Sequence, residues 1–454
     1  MEHRLHLLSS GPVDLPERQR TLRGALDWSY ELLDPPQRAL FRRLAVFAGG
    51  WTIEAAESIC SDAELPAYDV LQHLSVLVDN SLVRRLDHTT DEPRFGMLET
   101  IREYARERLG ASGERDKLHR RHSEYYLALA EEAYPNLRGD PKQWLDRLEA
   151  EHDNLRAALD WLEALGDTQL TLRLSGALYR FWYMRGHFAE GRSRLERLLA
   201  ADKQPTAMRA RALNGAAVMA MNTGDPVTAK ARSEEALALH RRLGDEWGAA
   251  YSVFSLAIAA TEEADWTAAL PLFEQSLARF RELGEDHYAL IAGDGIAWMA
   301  RVLGDPERSR RGHEEVLRDA RAVGDWAIAA SQLEQLAQFA QDEGRVDDAL
   351  SMLAEALRMK RDLEMPNLIV ESLCRFAYTL AVGGRAEVAA RLLAADQELR
   401  EEIGGGFAWV AEVNGETLGK LRSQLDELML EEALAQGRKL TPDEAVAIAL
   451  DTAE

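Results

Sequence analysis

From about residue 206 onward, the order of apolar and polar positions repeats with a period of 40 residues. A small residue followed by a polar or charged one marks one turn of each unit, at Gly224-Asp225, Ala264-Asp265, Gly304-Asp305, Gly344-Arg345 and Gly384-Arg385. A second series of turns lies halfway between, at Gly244-Asp245, Gly284-Glu285, Gly324-Asp325 and Glu364-Met365. Because glycine supplies the left-handed conformation that ends a helix, each unit is predicted to contain two helices of about 16–18 residues.

Small residues recur at two positions of every unit, where they would let the two helices approach closely. The columns are Ala217, Ala257, Ala297, Ala337 and Ala377, and Ala229, Ala269, Ser309, Ala349 and Ala389. One earlier unit has Gly186 and Gly191 in matching places, but Tyr179 replaces the small residue of the first column. A helical hairpin cannot bury its apolar face alone, so these units are predicted to stack into a superhelix. The pattern resembles tetratricopeptide (TPR) repeats with long helices, over residues 166–403.

The N-terminal third follows a different pattern. Helices are predicted from Leu22 through Leu33, after the cap Asp34-Pro35-Pro36, from Ile53, over Tyr68–Asp79 and over Glu99–Leu109. The second of these is expected to carry Leu40, Leu44, Val46 and Phe47. Two short strands, Ser81–Leu86 and Arg94–Leu98, flank the polar turn Asp87–Pro93. Helices followed by a two-stranded wing predict a winged-helix module over residues 21–112.

This module resembles the winged-helix module of bacterial STAND regulators (signal-transduction ATPases with numerous domains). The resemblance is carried by the segments TLRGALDWSYELLDPPQRALFRRLAVFAGGWTIEAAESIC, LSVLVDNSLV and RFGMLETIREYARERL. Residues 145–162 resemble the linker into the TPR array of such regulators, and residues 433–450 are similar to the end of that array. The resemblance implies the winged-helix plus TPR portion of a STAND-type transcriptional regulator that is associated with LuxR or SARP domains and similar to NB-ARC proteins.

The resemblance also implies a P-loop ATPase domain before the winged helix, but no segment matches G-x-x-x-x-G-K-[ST]. The nearest string, Gly415–Leu421, has one residue too few between its glycines and lacks the magnesium-binding hydroxyl. In the broader superfamily a Met-His-Asp string contacts bound nucleotide, and Met97-Leu98-Glu99 stands in its place. Leu98 cannot donate that hydrogen bond, so we interpret it as a core residue. A separate or upstream ATPase domain is a possible partner.

The predicted fold class is all-α: an α-solenoid of TPR-like helical hairpins preceded by a small winged-helix module. The predicted parts are an N-terminal tail (1–20), the winged-helix-like module (21–112), connecting helices (113–165), the solenoid of about six units (166–403) and C-terminal capping helices (404–454). In the last part, Gly404-Gly405-Gly406 breaks the chain, Thr417–Gln436 is predicted to form one amphipathic helix, and Thr441–Glu444 is predicted to cap another.

Composition narrows the functional classes. The chain has 454 residues, too many for one ordinary core, and a formal net charge of −23. Residues 1–112 contain 13 arginines and no lysine against 18 acidic residues, a net charge of −5, so nucleic-acid binding through this chain is not expected. No signal peptide or membrane-spanning segment is expected, and two distant cysteines fit a reducing cytoplasm.

No catalytic, cofactor-binding or metal-binding site is predicted. His119 and His122 have the i, i+3 spacing of a shared helical face, but Arg120 and Arg121 between them disfavour a cation. We therefore interpret both histidines as surface residues. No nucleophile and base appear in a recognisable arrangement, so the chain is predicted not to be an enzyme.

The first helix of each TPR unit lines the concave groove, and that register, transferred to the first alanine column, selects candidate groove residues. The candidates are Asn214, Met221, Tyr251, Phe254, Glu262, Asp294, Trp298, Arg301, Glu334, Gln338 and Tyr378, with Val218, Ile258, Gln341, Glu371 and Cys374 beside them. Aromatic and polar side chains together suit a peptide or a small effector. An equally weighted alternative is that the aromatic residues simply pack between repeats.

Three functional hypotheses remain open from the sequence. The first is a non-enzymatic interaction or sensor module that binds a protein, peptide or small-molecule effector in the groove and transmits this through superhelix curvature. The second is the sensor half of a nucleotide-dependent ATPase whose P-loop domain lies outside this sequence. The third, and the least favoured by the charge, is a regulator that binds DNA directly.

Overall fold

The structure, a computed structural model, describes residues 22–86, 92–138, 141–363, 366–403 and 408–453. Most of these residues are in helices. This confirms the predicted all-α class. The chain divides into a winged-helix unit, Met1–Glu132 with Arg147–Asp167, and a solenoid unit, Ala133–Asp146 with Thr168–Glu454. The predicted tail 1–20, the turn Glu364-Met365 and the break Gly404–Gly406 lie outside the described residues, as does most of the turn 87–93.

The winged-helix unit begins with short helices whose ends follow from their sequence. Its elements are α1 (Leu22–Glu31), α2 (Pro35–Arg43), a 3₁₀ turn (Leu44–Val46), β1 (Trp51–Thr52), α3 (Ile53–Cys60), α4 (Ala67–Asp79), β2 (Arg84–Leu86), β3 (Arg94–Gly96) and α5 (Glu99–Ser112). Asp34 starts α2 as predicted, because its carboxylate accepts from Gln37 N at 2.9 Å while the Gln37 side chain accepts from Asp34 N. The prediction that this helix also carries Leu44, Val46 and Phe47 is wrong, because the α-helix ends at Arg43 and a 3₁₀ turn follows.

The wing is a three-stranded antiparallel sheet in the order β1-β3-β2. Phe95 of β3 lies opposite Trp51 on one side and Arg85 on the other. The pairing of β2 with β3 confirms the two strands that the sequence predicts, and β1 adds a third. Strand β1 was not predicted, because two residues are too short to show an alternating pattern.

A second group of helices follows the wing: α6 (Arg115–Asn136), α7 (Lys142–Ala150) and α8 (His152–Leu165). Glu151, between α7 and α8, is buried and collects polar partners from the rest of the winged-helix unit. Its carboxylate pairs with Arg94 and accepts from Tyr126 Oη at 2.9 Å and from Asn154 Nδ2 at 2.7 Å. Asn154 Nδ2 also donates to Gly50 O at 2.7 Å. This network ties the wing to α6 and α8.

Two interpretations of single residues in this unit are wrong. His122 is buried rather than on the surface, since its ring packs between Phe47 and Tyr126 at centroid distances of 5.7 and 4.6 Å. Burial lowers the pKa of His122 to about 3. Leu98 is half exposed rather than in the core, because it is the extended residue just before α5 and lies outside the buried face of that helix.

The solenoid consists of six consecutive helical hairpins, and the predicted helix lengths are confirmed for the 40-residue units. The hairpins are α9 (Thr168–Met184) with α10 (Phe188–Ala201), α11 (Ala207–Asn222) with α12 (Pro226–Leu243), α13 (Glu246–Glu262) with α14 (Trp266–Glu282), α15 (Asp286–Val302) with α16 (Pro306–Val323), α17 (Trp326–Asp342) with α18 (Val346–Asp362), and α19 (Pro366–Val382) with α20 (Ala386–Ile403). The predicted turns that lie within the described residues have positive φ, as at Gly224 (73°) and Gly304 (89°). At Ala264, an alanine adopts this conformation with φ of 55°.

Both small-residue columns are buried, as the stacking argument requires. Every alanine of the first column and every alanine or serine of the second is excluded from solvent. Neighbouring first helices contact one another along the array, and between α13 and α15 the contact includes the rings of Tyr251 and Tyr288. Helix α9 of the first hairpin also contacts α19 of the sixth. The first helices of the six hairpins therefore surround one interior space.

The C-terminal end of the solenoid is formed by α21 (Ala408–Gln424), α22 (Glu427–Gly437) and α23 (Pro442–Ala453). The prediction of one helix over Thr417–Gln436 is wrong, because Asp426 accepts from Met429 N at 2.8 Å and starts a new helix there. The predicted cap of the last helix is confirmed: Thr441 Oγ1 accepts from Glu444 N, and the Glu444 carboxylate accepts from Thr441 N at 2.8 Å. The segment Gly415–Leu421 lies inside α21.

Candidate ligand cavity

The interior space of the solenoid contains a cavity of about 320 Å³, here called the central cavity. First helices of all six hairpins line it, together with the segment before α7. Its lining residues are Leu137, Pro141, Tyr179, Arg180, Tyr183, Met184, Ala217, Val218, Met221, Asn222, Ala229, Ser233, Tyr251, Phe254, Ser255, Ile258, His287, Tyr288, Ile291, Asp294, Ala327, Ile328, Ser331, Leu368 and Glu371. The volume is at the lower end of the range for small-molecule sites.

Aromatic rings form one wall of the central cavity. The ring of Tyr251 stacks on Trp247 at a centroid distance of 5.3 Å and meets Tyr288 edge-on at 5.1 Å. Phe254 packs against Tyr288 at 6.1 Å. Such offset and edge-to-face contacts hold the rings in place, so this wall is rigid and largely apolar.

Arg180 of α9 is the cationic group of this wall. It is 3% exposed, and its guanidinium lies 5.1 Å from the ring centroids of both Tyr134 and Tyr288. Nη2 donates to Tyr288 Oη, whereas Nε and Nη1 have no hydrogen-bond partner among the described residues. An arginine keeps its charge when buried, so this wall carries a fixed positive charge.

Two carboxylates line the same cavity from other helices. Glu371 of α19 lies 3.8 Å from Lys360 Nζ, and burial raises the pKa of its carboxyl to about 6. Asp294 of α15 has its Oδ1 3.2 Å from Nδ1 of His313, which makes a shorter contact of 2.8 Å with Gln332 Oε1. The cavity therefore combines a cationic group with acidic groups. The rest of its lining is mostly apolar, with Asn222, Ser233, Ser255, His287 and Ser331 as further polar residues.

Lys360 itself is committed to a structural ion pair. Its Nζ is fully buried and lies 2.8 Å from both carboxylate oxygens of Glu334, to which Ser372 Oγ also donates. Because Glu334 holds Lys360 in this way, Glu371 receives only the longer contact. Glu334 is thus a buried structural residue rather than a groove residue.

The structure divides the candidate groove residues into two groups. Met221, Tyr251, Phe254 and Asp294 line the central cavity, as do Val218, Ile258 and Glu371. Tyr251 and Phe254 also belong to the packed core, so they are packing residues that line the cavity at the same time.

The remaining candidates lie elsewhere, because they are engaged with neighbouring helices. Asn214 is buried and forms hydrogen bonds with His240 at 3.0 Å and Ser252 at 2.9 Å. The ring of Trp298 packs on Trp266 at a centroid distance of 5.5 Å, and Arg301 pairs with Asp342. The ring of Tyr378 lies 5.3 Å from Lys420 Nζ, and Cys374 contacts Val410 O. Glu262, Gln338 and Gln341 do not line the cavity in the described part of the chain. Most of these residues lie in the C-terminal halves of their helices.

Arg180, Tyr179 and Tyr288 are cavity residues that sequence reasoning missed. Tyr179 appeared only as an exception to the alanine column, and the groove register was transferred from the unit after it. A usable signal was present: Arg180 is the one charged residue in the run Leu174–Met184, whose neighbours are mostly apolar. A charge inside such a run requires a buried partner or a ligand.

Comparison with known proteins identifies the N-terminal module. Residues 33–110 match the family model described as a winged helix-turn-helix domain. The chain is 34% identical over 331 residues to a Mycobacterium tuberculosis protein that is named as an HTH-type transcriptional regulator, Rv0890c, and equally to its Mycobacterium bovis counterpart. The match covers 70% of this chain but 37% of the relative, so the chain spans little more than a third of that protein's length.

Solved structures show a coarse likeness. The STAND protein with a tetratricopeptide repeat sensor from Pyrococcus horikoshii has a TM-score of 0.47 at 15% identity, over 92% of this chain and 67% of that one. The structure of NprR in complex with its cognate peptide NprX has a TM-score of 0.46 at 14% identity, over 65% of this chain and 88% of that one.

The family model and the structure agree on the N-terminal module. Among the described helices, none has the length and apolarity that crossing a bilayer needs. The chain combines a winged helix-turn-helix domain with a TPR-like solenoid, and its curated relatives include proteins named as HTH-type transcriptional regulators.

Proposed function

We propose that this chain is the sensing part of a larger cytoplasmic transcriptional regulator and that it binds an effector in the central cavity. The observation that supports this is the cavity itself, which first helices of all six hairpins line. A rigid aromatic wall with a few polar groups is what small-molecule sites generally present. The proposed activity is binding and not catalysis.

The position of the cavity also provides a mechanism for signalling. Leu368 and Glu371 of the sixth hairpin line the same space as Tyr179 and Arg180 of the first, and the two helices contact each other. An effector that touches both hairpins would stabilise the arrangement in which they are close. Bound and free forms would then differ in superhelix curvature, and this differential affinity is what a regulator needs.

The winged-helix unit is proposed to act by contacting other proteins or domains and not by binding DNA directly. Arg43 pairs with Asp62 and Glu114, and Arg42 also pairs with Glu114, so these arginines are occupied within the unit. Arg84 and Arg85 are exposed on β2. A gel shift at low salt that wild-type protein produces, and that Arg84→Ala/Arg85→Ala removes, would contradict this part of the proposal.

The cavity can be tested without knowing the effector. Wild-type protein is incubated with the small-molecule fraction of a cell extract, desalted and examined by native mass spectrometry. Val218→Phe fills the cavity from α11, and Val227→Phe places the same side chain at an exposed position of α12. We expect a retained small molecule with wild-type protein and with Val227→Phe, and its loss with Val218→Phe. No retained molecule, or equal retention by both variants, would refute the proposal.

A further inference from the structure

We propose that the effector is a small zwitterion, an amino acid in the simplest case, whose carboxylate pairs with Arg180 and whose amino group faces Asp294 and Glu371. This inference rests on the proposed function, since it requires the central cavity to be the binding site. It adds the chemistry of the ligand, which the charges of the lining residues define.

The first step is a comparison of buried arginines within the molecule. Arg43, Arg94, Arg180 and Arg209 are each 3% exposed. Arg43 pairs with Asp62 and Glu114, Arg94 with Glu151, and Arg209 with Glu235. Arg180 alone among these four has no carboxylate partner in the described part of the chain; its one hydrogen bond goes to Tyr288 Oη.

The second step concerns what such an arginine requires. A buried charge without a partner is costly, and proteins otherwise avoid it. Arg180 lines the central cavity, and two of its three guanidinium nitrogens, Nε and Nη1, are buried without a hydrogen-bond partner among the described residues. A guanidinium binds planar carboxylates especially well, because paired N–H groups match the two oxygens. A ligand carboxylate would therefore provide the missing partner.

The aromatic surroundings favour the same assignment. Tyr134 and Tyr288 present ring faces to the guanidinium and thereby stabilise the cation without neutralising it. Glu285, three residues before Tyr288, already pairs with Arg138. The protein thus keeps Arg180 charged and leaves its neutralisation to whatever enters the cavity.

The third step is the acidic part of the lining. Asp294 and Glu371 reach the cavity from α15 and α19, and the neighbouring Lys360 is held closely by Glu334. These two carboxylates disfavour a ligand with several negative charges and suit an ammonium group. The apolar lining from Val218, Ile258 and Ile291 leaves room for an uncharged side chain. A cavity of about 320 Å³ is small, which favours a single amino acid over a folded protein.

The experiment uses the full chain and isothermal titration calorimetry with defined probes. These are the common L-amino acids, the corresponding amino acid amides, the corresponding acids without the amino group, and inorganic phosphate. At least one amino acid is expected to bind, and both of its analogues are expected to bind at least about tenfold more weakly, since each lacks one charged contact. Binding of phosphate alone, or binding of either analogue as tightly as the amino acid itself, would overturn the inference.

Variants assign the contact to Arg180. Arg180→Met is expected to weaken binding by about 30-fold or more, and Arg180→Lys by less, because lysine keeps the charge but not the planar fork. Arg318→Met, at an exposed position of α16, serves as the matched control. Asp294→Asn is expected to weaken binding of the amino acid but not of the acid without the amino group. Far-ultraviolet circular dichroism checks that each variant is folded.

The outcomes separate this inference from the proposed function. If the retained molecule depends on Val218 but carries no carboxylate, or binds Arg180→Met as tightly as wild type, the cavity is a binding site and the zwitterion inference is wrong. If retention does not depend on Val218, the proposed function fails as well. If no amino acid of the panel binds at millimolar concentration, the inference is likewise overturned.

Discussion

Arg94 in the winged-helix unit and Arg180 in the solenoid unit are equally buried, yet they have different partners. Arg94 pairs with Glu151 and donates to Ala150 O at 2.9 Å, in a network that includes Tyr126 and Asn154. Arg180 has aromatic neighbours and one phenol oxygen. The positive charge of Arg94 is balanced by a carboxylate of the protein itself, whereas we propose that the charge of Arg180 is balanced by the carboxylate of a bound ligand. Exposure alone does not distinguish a structural arginine from a binding one; the partners do.

The largest expected effect is on unfolding free energy, when the paired Arg94 and the unpaired Arg180 are each replaced by methionine. Arg94→Met would leave Glu151 buried without its cation, so we expect the winged-helix unit to lose about 3–5 kcal/mol of unfolding free energy. Arg180→Met leaves no carboxylate unpaired, and we expect the solenoid unit to change by about 1 kcal/mol or less in the ligand-free protein. Urea unfolding, followed by hydrogen-exchange pulse labelling of peptides from α5 and α9, measures the two units separately.

A double variant provides the control for Arg94. Arg94→Met/Glu151→Leu removes both charges, and we expect it to recover part of the stability that the single variant loses. If Arg94→Met and Arg180→Met destabilised their units equally, the distinction between a paired and an unpaired arginine would lose its support.

The two units should also respond to pH in opposite directions, and the winged-helix unit should show the larger change. Burial lowers the pKa of His122 to about 3 and that of His119 to about 4, below the usual value near 6.5. In the unfolded chain both histidines take up protons as the pH falls below about 6.5, whereas the folded form resists this. Stability is therefore present above this pH and is lost as the pH falls, by up to about 1.4 kcal/mol per pH unit for His122 alone.

The measurement is urea unfolding at pH 7, 6 and 5, with pulse labelling at one fixed pH and peptides from α5 and α6 as the readout. His122→Phe removes the more deeply buried titrating group and keeps an aromatic ring against Phe47 and Tyr126. We expect this variant to have a shallower pH dependence than wild type. An unchanged slope would show that His122 does not titrate differently in the folded and unfolded states.

In the solenoid unit, Asp396 of α20 is expected to make the stability change with pH in the opposite direction. Burial raises the pKa of Asp396 to about 7, although Asn414 Nδ2 donates to its carboxyl. Its stabilising contribution is present below the unfolded pKa of about 4 and is lost as the pH rises through about 7. Asp396→Asn, which stays neutral, is expected to stabilise the unit by about 2 kcal/mol at pH 8 and to make little difference at pH 4.

Peptides from α20 and α21 report this change in the same unfolding experiment. Asp443→Asn is the matched control, because Asp443 lies on the exposed first turn of α23. A variant that is equally stabilising at pH 4 and pH 8 would mean that packing, and not the carboxyl proton, explains the effect.

The repeat was predictable from sequence because its determinants are local. Ala217 and its column pack within and between adjacent hairpins, so their period of 40 residues reports directly on the stacking. The central cavity was only partly predictable, since its closure depends on the contact between α9 and α19 at opposite ends of the array. Whether α9 and α19 meet depends on the sum of small rotations between successive hairpins. A single column of residues in the sequence does not predict that sum.

The same reasoning explains which single residues were misplaced. Trp298 occupies the same repeat position as Val218 and Ile258, which line the cavity, but its ring packs on Trp266 instead. Arg180 was missed because the first hairpin departs from the column at Tyr179. His122 was interpreted as exposed from its charged neighbours, whereas its i+4 neighbour Tyr126 shares its buried face.

The smallest expected change in unfolding free energy concerns two residues with left-handed backbone conformation, one in each unit. Ala264, between α13 and α14, and Ser81, after α4, have positive φ values of 55° and 58°, whereas the equivalent solenoid turns use glycine. A left-handed conformation costs a residue with a side chain about 1–2 kcal/mol, and glycine gives back part of this through its freer unfolded chain. We expect Ala264→Gly to stabilise the solenoid unit, and Ser81→Gly the winged-helix unit, by about 0.5–1 kcal/mol each.

Each substitution is read by hydrogen exchange of peptides from its own unit, α14 for Ala264→Gly and α5 for Ser81→Gly. The reverse change, Gly224→Ala, is the matched control, because it places a side chain at a φ of 73° where nothing crowds the new methyl group. It should destabilise the solenoid by about 1 kcal/mol through backbone strain alone. If Ala264→Gly were neutral while Gly224→Ala cost this much, the strain at Ala264 would be offset by contacts of its methyl group. The two kinds of turn would then be equivalent in energy, despite their different residues.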